Sequence, residues 1–355
     1  MKNHINNWET KNMESFIATW KSPSNIALLK YWGKLEGQLP VNPSLSFSLS
    51  EAYTITKITA TPDKMKAGIT TLNNNTEHPF LQKIKPFWQT VIKEIPLLKD
   101  YCIEIETENT FPHSAGIASS ASGFSALALC FLSLAEKISG NQLAEQDFFQ
   151  SASALSRQGS GSACRSVYGG FTVWGKTALW QNSSDLHAIG INEDIHSDFK
   201  NLHDAILLVS AKEKSLSSSK GHSLMNNHPF AGGRILQANK HLALFKKALK
   251  EGDFNLLSET SEAEALSLHA LIMSSAGGEI LLKPQSIELI NRIRTARNKG
   301  LRIFFTIDAG PNIHLIYPEK EKINAENFIK HELFDICDKT KIIFDKTGNG
   351  ATKIN

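Results

Sequence analysis

The chain has 355 residues, 41% hydrophobic and 21% charged, the balance of an ordinary globular protein with room for two lobes. Its 38 basic and 35 acidic residues nearly cancel, which leaves no nucleic-acid footprint and makes any anion binding local. Residues 1–19 are polar and mixed in charge, unlike a signal peptide, and Cys102, Cys130, Cys164 and Cys337 form no CxxC pair, so a cytoplasmic protein with reduced thiols is expected.

In chain order, the first informative segment is Ser24-Asn-Ile-Ala-Leu-Leu-Lys-Tyr-Trp-Gly-Lys34. It reads as a buried strand that carries Asn25, Lys30 and Lys34. A lysine there loses hydration, a penalty tolerated when an anion compensates it; the plain alternative is a stem that snorkels its charge outward. A turn at Pro40-Val-Asn-Pro43 then leads into a strand lined with serines, and lysines, asparagine and hydroxyls together suggest an anion site. Alternation predicts strands over 52–61, 101–107 and 171–174, and helical spacing predicts helices over 77–93 (kinked at Pro86), 120–139 and 145–156. The apolar run 124–135 is interrupted by Ser125 and Ser133 and reads as too short to span a bilayer. Beyond it, strands are expected over 205–210 and 302–308, and helices over 229–249, 254–274, 284–299 and 322–330. This order is α+β rather than regular βαβ alternation. A composition change near Asn201 divides the chain into lobes 1–200 and 201–355.

Between the strand 101–107 and the helix 120–139, the loop Pro112-His-Ser-Ala-Gly-Ile-Ala-Ser-Ser-Ala121 brings Ser119 and Ser120, good capping residues, to a helix start. Amides, hydroxyls and the positive end of the helix dipole would converge there on a phosphate; the alternative is an ordinary capped helix. Gly170-Phe-Thr-Val-Trp-Gly-Lys-Thr177 fits the Walker A pattern, but its bulky β-prone interior reads as a strand instead.

Four segments together resemble the diphosphomevalonate decarboxylase family of the GHMP kinase superfamily. They are Asn25-Ile-Ala-Leu-Leu-Lys-Tyr-Trp-Gly-Lys34, Pro112 to Ala121, Gly159-Ser-Gly-Ser-Ala-Cys-Arg-Ser166 and Ile307-Asp-Ala-Gly-Pro-Asn312, with weaker matches at Leu268-His269-Ala270 and near Gly348. The resemblance implies a two-lobed GHMP-kinase-like fold, with a ribosomal-protein-S5-like N-terminal lobe, a ferredoxin-like C-terminal lobe and often a homodimer. It implies phosphorylation of the 3-hydroxyl of mevalonate 5-diphosphate by ATP with Mg²⁺, then loss of phosphate and CO₂ to give isopentenyl diphosphate. Asp308 would be the catalytic aspartate, Lys30 its partner, and Arg165 the holder of the substrate carboxylate. Ser160, Ser162, Tyr31 and Lys34 would grip the diphosphate, with Asn25 in support. Gly116, Ser119, Ser120 and Ala121 would meet the ATP phosphates, and phosphate oxygens and water would hold Mg²⁺ without a protein ligand cage.

One departure concerns a loop where some members carry an arginine. Here it reads Ser217-Ser-Ser-Lys-Gly-His-Ser-Leu-Met-Asn-Asn227, so Lys220 or His222 would substitute, or either is simply a solvated loop residue, the reading favoured for His222. His113 reads as loop packing. Alternatives are a decarboxylase of the 5-monophosphate, a relative that phosphorylates only, and a non-catalytic sensor on the same fold. Retention of Asp308, Lys30 and Arg165 speaks against the last two.

Overall fold

The computed structural model describes residues 4–11, 13–112, 117–210, 216–337 and 342–354. Two β-sheets organise it. The first has the order β11-β1-β2-β4-β3, with β5 joined to β2 and β6 to β5. Its members are β1 (Phe16–Leu29), β2 (Ser44–Pro62), β3 (Gly68–Leu72), β4 (Tyr101–Asn109), β5 (Phe171–Trp174), β6 (Ala188–Gly190) and β11 (Thr352–Lys353). The second has the antiparallel order β10-β7-β9-β8, from β7 (Leu202–Leu207), β8 (Phe304–Thr306), β9 (Ile313–Pro318) and β10 (Ile342–Lys346).

The burial of β2 shows how the layers meet. Residues 44–49 are buried on both faces, whereas 52–60 alternate buried and half-exposed, the pattern of a strand covered on one side only. The helices α1 (Leu81–Glu94), α2 (Ser119–Ser139) and α3 (Glu145–Gly159) contribute to the core on that covered side. α2 is buried nearly all round, and its serines are accommodated by partners, as where Trp20 Nε1 donates to Ser133 Oγ at 2.8 Å. It spans 21 residues, more than the apolar run suggested, and is the one helix among the described residues long and apolar enough to cross a membrane. With 83% of its apolar window buried inside the fold, we read it as a core helix.

The second sheet follows α4 (Ser197–Lys200) and is accompanied by α5 (Ser218–Ser223), α6 (Ala231–Glu251), α7 (Phe254–Ser274), α8 (Pro284–Asn298) and α9 (Lys322–Phe328). The lobes are stitched where β1 and β2 lose register between Pro23 and Asn25. The β2 residues left over there present the amides of Ser50, Glu51 and Ala52 to Asp345 of β10, at 2.8, 2.9 and 2.7 Å. Burial pushes the Asp345 carboxyl above its usual range, and those amides oppose the shift. The chain then returns to the first sheet, where β11 pairs with Trp20 and Lys21 of β1. The segment 201–355 therefore does not remain on one lobe: its last residues complete the other.

The helices starting at 254 and 284 fall where periodicity puts them, and the Walker-like segment is strand β5, paired with 44–47 of β2. Short strands β3, β6, β9, β10 and β11 were not anticipated. The first turn of α2 also differs: Ala118 occupies the cap position, no side chain caps it, and Ser119 and Ser120 are the first helical residues.

Candidate active site

The β1 strand ends in a bulge, with Ala27 opposite Ser46 and Leu29 opposite Leu45. Here the Ala27 carbonyl accepts from Lys30 Nζ at 2.7 Å and from Thr306 Oγ1 at 3.2 Å. Lys30 Nζ also reaches Asp308 Oδ1 at 2.8 Å, with side-chain exposures of 3% and 27%. The carboxylate thus faces the opening and the ammonium lies behind it. Burial pushes the Lys30 pKa below its ordinary value, while Asp308 and Glu264 oppose that shift.

The lysine is also gripped by its backbone. Glu264 of α7 accepts the Lys30 amide at 3.1 Å, and Arg234 of α6 donates to the Lys30 carbonyl at 3.1 Å. Arg234 and Glu264 form a two-pronged pair at 2.7 and 2.8 Å with side-chain exposures of 2% and 0%. His241 Nδ1 donates to the same carboxylate at 2.5 Å. Burial alone would raise the Glu264 pKa, but His241 and Arg234 outweigh it and hold the group below the usual carboxylate range. Five residues further along α7, His269 Nε2 donates to the Asp308 carbonyl at 3.1 Å. One helix therefore holds the main chains of both members of the ion pair.

Arg165 closes the 3-10 turn Gly161–Arg165 and is buried. Its Nε donates to Asn25 Oδ1 at 3.2 Å and its Nη1 to Ser44 Oγ at 2.5 Å. Asn25 is fixed in turn by donating to Ser166 Oγ at 2.8 Å and the Ser162 carbonyl at 3.3 Å. Among the described residues no carboxylate lies within ion-pair distance of Arg165. Tyr31 sits over Gly161, where a Cβ would come within 2.9 Å of its Oη; only glycine permits this approach. Among the described residues the buried Tyr31 hydroxyl has no partner, and burial pushes its pKa up, so it remains a donor.

These groups surround one cavity of about 540 Å³, whose wall includes Lys30, Asp308, Arg165, Tyr31, Ser120 and Ser160. A larger open groove, about 1060 Å³, runs past Phe149, Trp180 and His187 without any of them. The chemistry therefore points to the smaller space.

Two family models cover this chain. The diphosphomevalonate decarboxylase-like N-terminal domain matches residues 22–185, and the mevalonate 5-diphosphate decarboxylase C-terminal domain matches residues 205–354. The diphosphomevalonate decarboxylase of Ganoderma lucidum is 31% identical over 337 residues, 88% of this chain and 80% of that protein. The chain belongs to the diphosphomevalonate decarboxylase family. Its fold is that of solved members: the mevalonate diphosphate decarboxylase from Staphylococcus aureus superposes with a TM-score of 0.80 at 29% identity, covering 97% of this chain and 100% of that one. MDDEF, solved in complex with MVAPP, AMPPCP and magnesium, gives 0.78 at 30% identity, covering 96% and 99%.

Within this diphosphomevalonate decarboxylase fold, the residues singled out from sequence fare differently. Asn25, Lys30, Tyr31, Lys34, Ser120, Ser160, Ser162, Arg165 and Asp308 gather on one cavity, and Ser120 Oγ lies 3.4 Å from Ser160 Oγ. Ser119 does not line it. Ala121 is wholly buried and its amide is taken by the Ala118 carbonyl at 2.8 Å, so it offers nothing to a phosphate. Gly116 and His113 lie outside the described residues. Lys220 is exposed and paired with Glu279 at 3.1 Å. His222 is no solvated loop residue but packs against Tyr31 and Trp32 on the cavity wall. Sequence reasoning missed Arg234, Glu264 and Thr306, and also Lys83, which reaches the cavity from α1. Single polar residues inside helical repeats give no local signal of such long-range pairing.

Proposed function

We propose that this cavity performs the ATP-dependent decarboxylation of mevalonate 5-diphosphate to isopentenyl diphosphate, with the following division of labour. Asp308 takes the proton of the 3-hydroxyl as that oxygen attacks the γ-phosphorus of ATP, and ADP departs with the electrons of the broken P–O bond. Lys30 keeps the carboxylate in place and offsets the negative charge that gathers during transfer. Phosphate then leaves C3 with its bonding electrons. The C1–C2 pair becomes the C2–C3 double bond and CO₂ is released. Arg165 holds the C1 carboxylate in line for that cleavage through its planar fork. Asn25 orients Arg165, and Tyr31, Lys34, Ser160 and Ser162 take the diphosphate.

The uncapped start of α2 and the Ser120 hydroxyl would meet the ATP phosphates. Ser120 would lend an oxygen of the class a hard cation takes, and Mg²⁺, held mainly by phosphate oxygens and water, would neutralise phosphate charge there. The observation that carries the reading is a Lys30–Asp308 ion pair at 2.8 Å sharing a cavity with a buried arginine that lacks a carboxylate partner among the described residues. The proposal extends to a cytoplasmic homodimer; a monomer in sedimentation equilibrium would remove that part.

The deciding experiment follows CO₂ and ADP release with Mg-ATP from mevalonate, its 5-phosphate and its 5-diphosphate. Matched release from the diphosphate alone is expected. Preference for the monophosphate would change the substrate, and ADP without CO₂ would overturn the roles of Asp308 and Arg165.

A further inference from the structure

The short helix α5 puts a histidine against the cavity in a single tautomer. Gly221 makes this possible: a Cβ there would lie 2.6 Å from Trp32 Cη2, so a larger residue would push the loop away. His222 then packs with ring centroids 4.2 Å from Tyr31 and 5.2 Å from Trp32. Its Nδ1 accepts the Gly33 amide at 3.1 Å. A neutral imidazole that accepts at Nδ1 carries its proton on Nε2. Burial, followed by the charges of Lys34 and Arg165, pushes the ring's pKa down to about 3, so it is neutral at pH 7. Among the described residues Nε2 has no hydrogen-bond partner, and the ring lines the cavity beside Lys34, Ser160 and Ser162.

We propose that His222 donates its Nε2–H to the phosphate tail of the substrate and helps select the diphosphate over the monophosphate. The cavity already holds the cationic Lys30, Lys34 and Arg165, so its ligand is an anion. A neutral donor adds a directed hydrogen bond without adding to the repulsion among those cations. The Tyr31 hydroxyl, also without a partner among the described residues and with its ring tilted against the same imidazole, makes a second neutral donor for that tail. This selectivity rests on the diphosphate reading given above.

The first test needs no variant. Nitrogen–proton correlation spectra of the wild-type protein should show His222 as the Nε2–H tautomer, and titration with inorganic pyrophosphate should shift that signal. His222→Phe keeps the aromatic packing and removes both the Nε2 donor and the Nδ1 acceptor of the Gly33 amide. Its KM for mevalonate 5-diphosphate should rise about 10- to 100-fold, the range for a hydrogen bond to a charged group, with kcat and the KM for ATP much less affected. His222→Gln, with a donor at its tip, should recover part of the loss, and the monophosphate should be less sensitive to either change. An Nδ1–H tautomer, or an unchanged KM in a folded His222→Phe protein, would overturn the proposal. A pyrophosphate shift at His222 in a wild-type protein that releases no CO₂ would instead sink the reaction and uphold the anion contact.

Discussion

The two walls of the cavity treat a buried cation in opposite ways. On the side built with α6 and α7, Lys30 has a carboxylate at 2.8 Å, a carbonyl at 2.7 Å and both of its own backbone groups gripped. On the side built from β1, β2 and the turn after α3, Arg165 is just as buried but, among the described residues, its hydrogen bonds go only to neutral oxygens, those of Asn25 and Ser44. Burial pushes the pKa of each below its ordinary value. A guanidinium stays charged regardless, so its compensation has to come from outside the fold. The first wall is complete before substrate arrives, and in the proposed reaction the second would be completed by the substrate's own carboxylate.

The largest effect should come from breaking the complete wall at its reactive end. Asp308→Asn keeps the shape and loses the base, and CO₂ release should fall about 10²- to 10⁴-fold while ATP and substrate still bind. Single-turnover measurement of ADP and CO₂ separates this from weaker binding, and wild-type-like release would move the base elsewhere. Next is the support behind Lys30. Glu264→Gln strands the buried Arg234 without an anion, a loss of about 3–5 kcal/mol in stability. Urea unfolding reads it directly, and an unchanged midpoint would mean that the network does not support Lys30 as described.

Changing the incomplete wall should act on turnover more than on folding. Arg165→Lys keeps a charge but not the fork, so its grip on the carboxylate becomes a single point. We expect an unchanged KM for ATP and a kcat lower by about 10²-fold, the scale of an ångström's misplacement at the reacting bond. An unaltered kcat would show that the carboxylate is aligned by something else. Comparing this variant with Glu264→Gln tests the contrast itself: one should lose rate at nearly full stability, the other stability first.

How much of this was legible beforehand differs between the same two walls. Arg165, Tyr31 and the serines follow from compact motifs in which neighbours in sequence are neighbours in space. The long helices announced themselves by apolar periodicity. The clamp on Lys30 did not, because Glu264 and Arg234 are isolated polar residues in α7 and α6, each more than 200 residues from the lysine. Ala121 misled for the opposite reason: it belongs to the motif, yet its place in the first turn of α2 points it into the core. The short strands β9 and β10 escaped because burial on both faces, or a run of five residues, leaves little alternation to read. The return of β11 to the first sheet has no local signature at all.

His269 gives the smallest and most discriminating prediction. It donates to the Asp308 carbonyl, and burial pushes its pKa down to about 4. An unfolded histidine titrates near ~6.5, so between these values the unfolded chain binds more protons than the folded one. Its share of the stability is therefore present above about pH 6.5 and drains away as pH falls toward the folded pKa, with a slope approaching ~1.4 kcal/mol per pH unit. His222 acts in the same direction, because its folded pKa is also depressed. His269→Gln can keep a donor on the carbonyl but cannot titrate. It should flatten the pH dependence of the urea midpoint over this window while leaving kcat at neutral pH nearly intact. Because the backbone contact survives and only the proton is removed, a flattened slope with retained turnover isolates the linkage from the positioning. An undiminished slope would place the acid sensitivity elsewhere in the protein, and a large fall in kcat would mean that Asp308 needs the imidazole itself rather than its hydrogen bond.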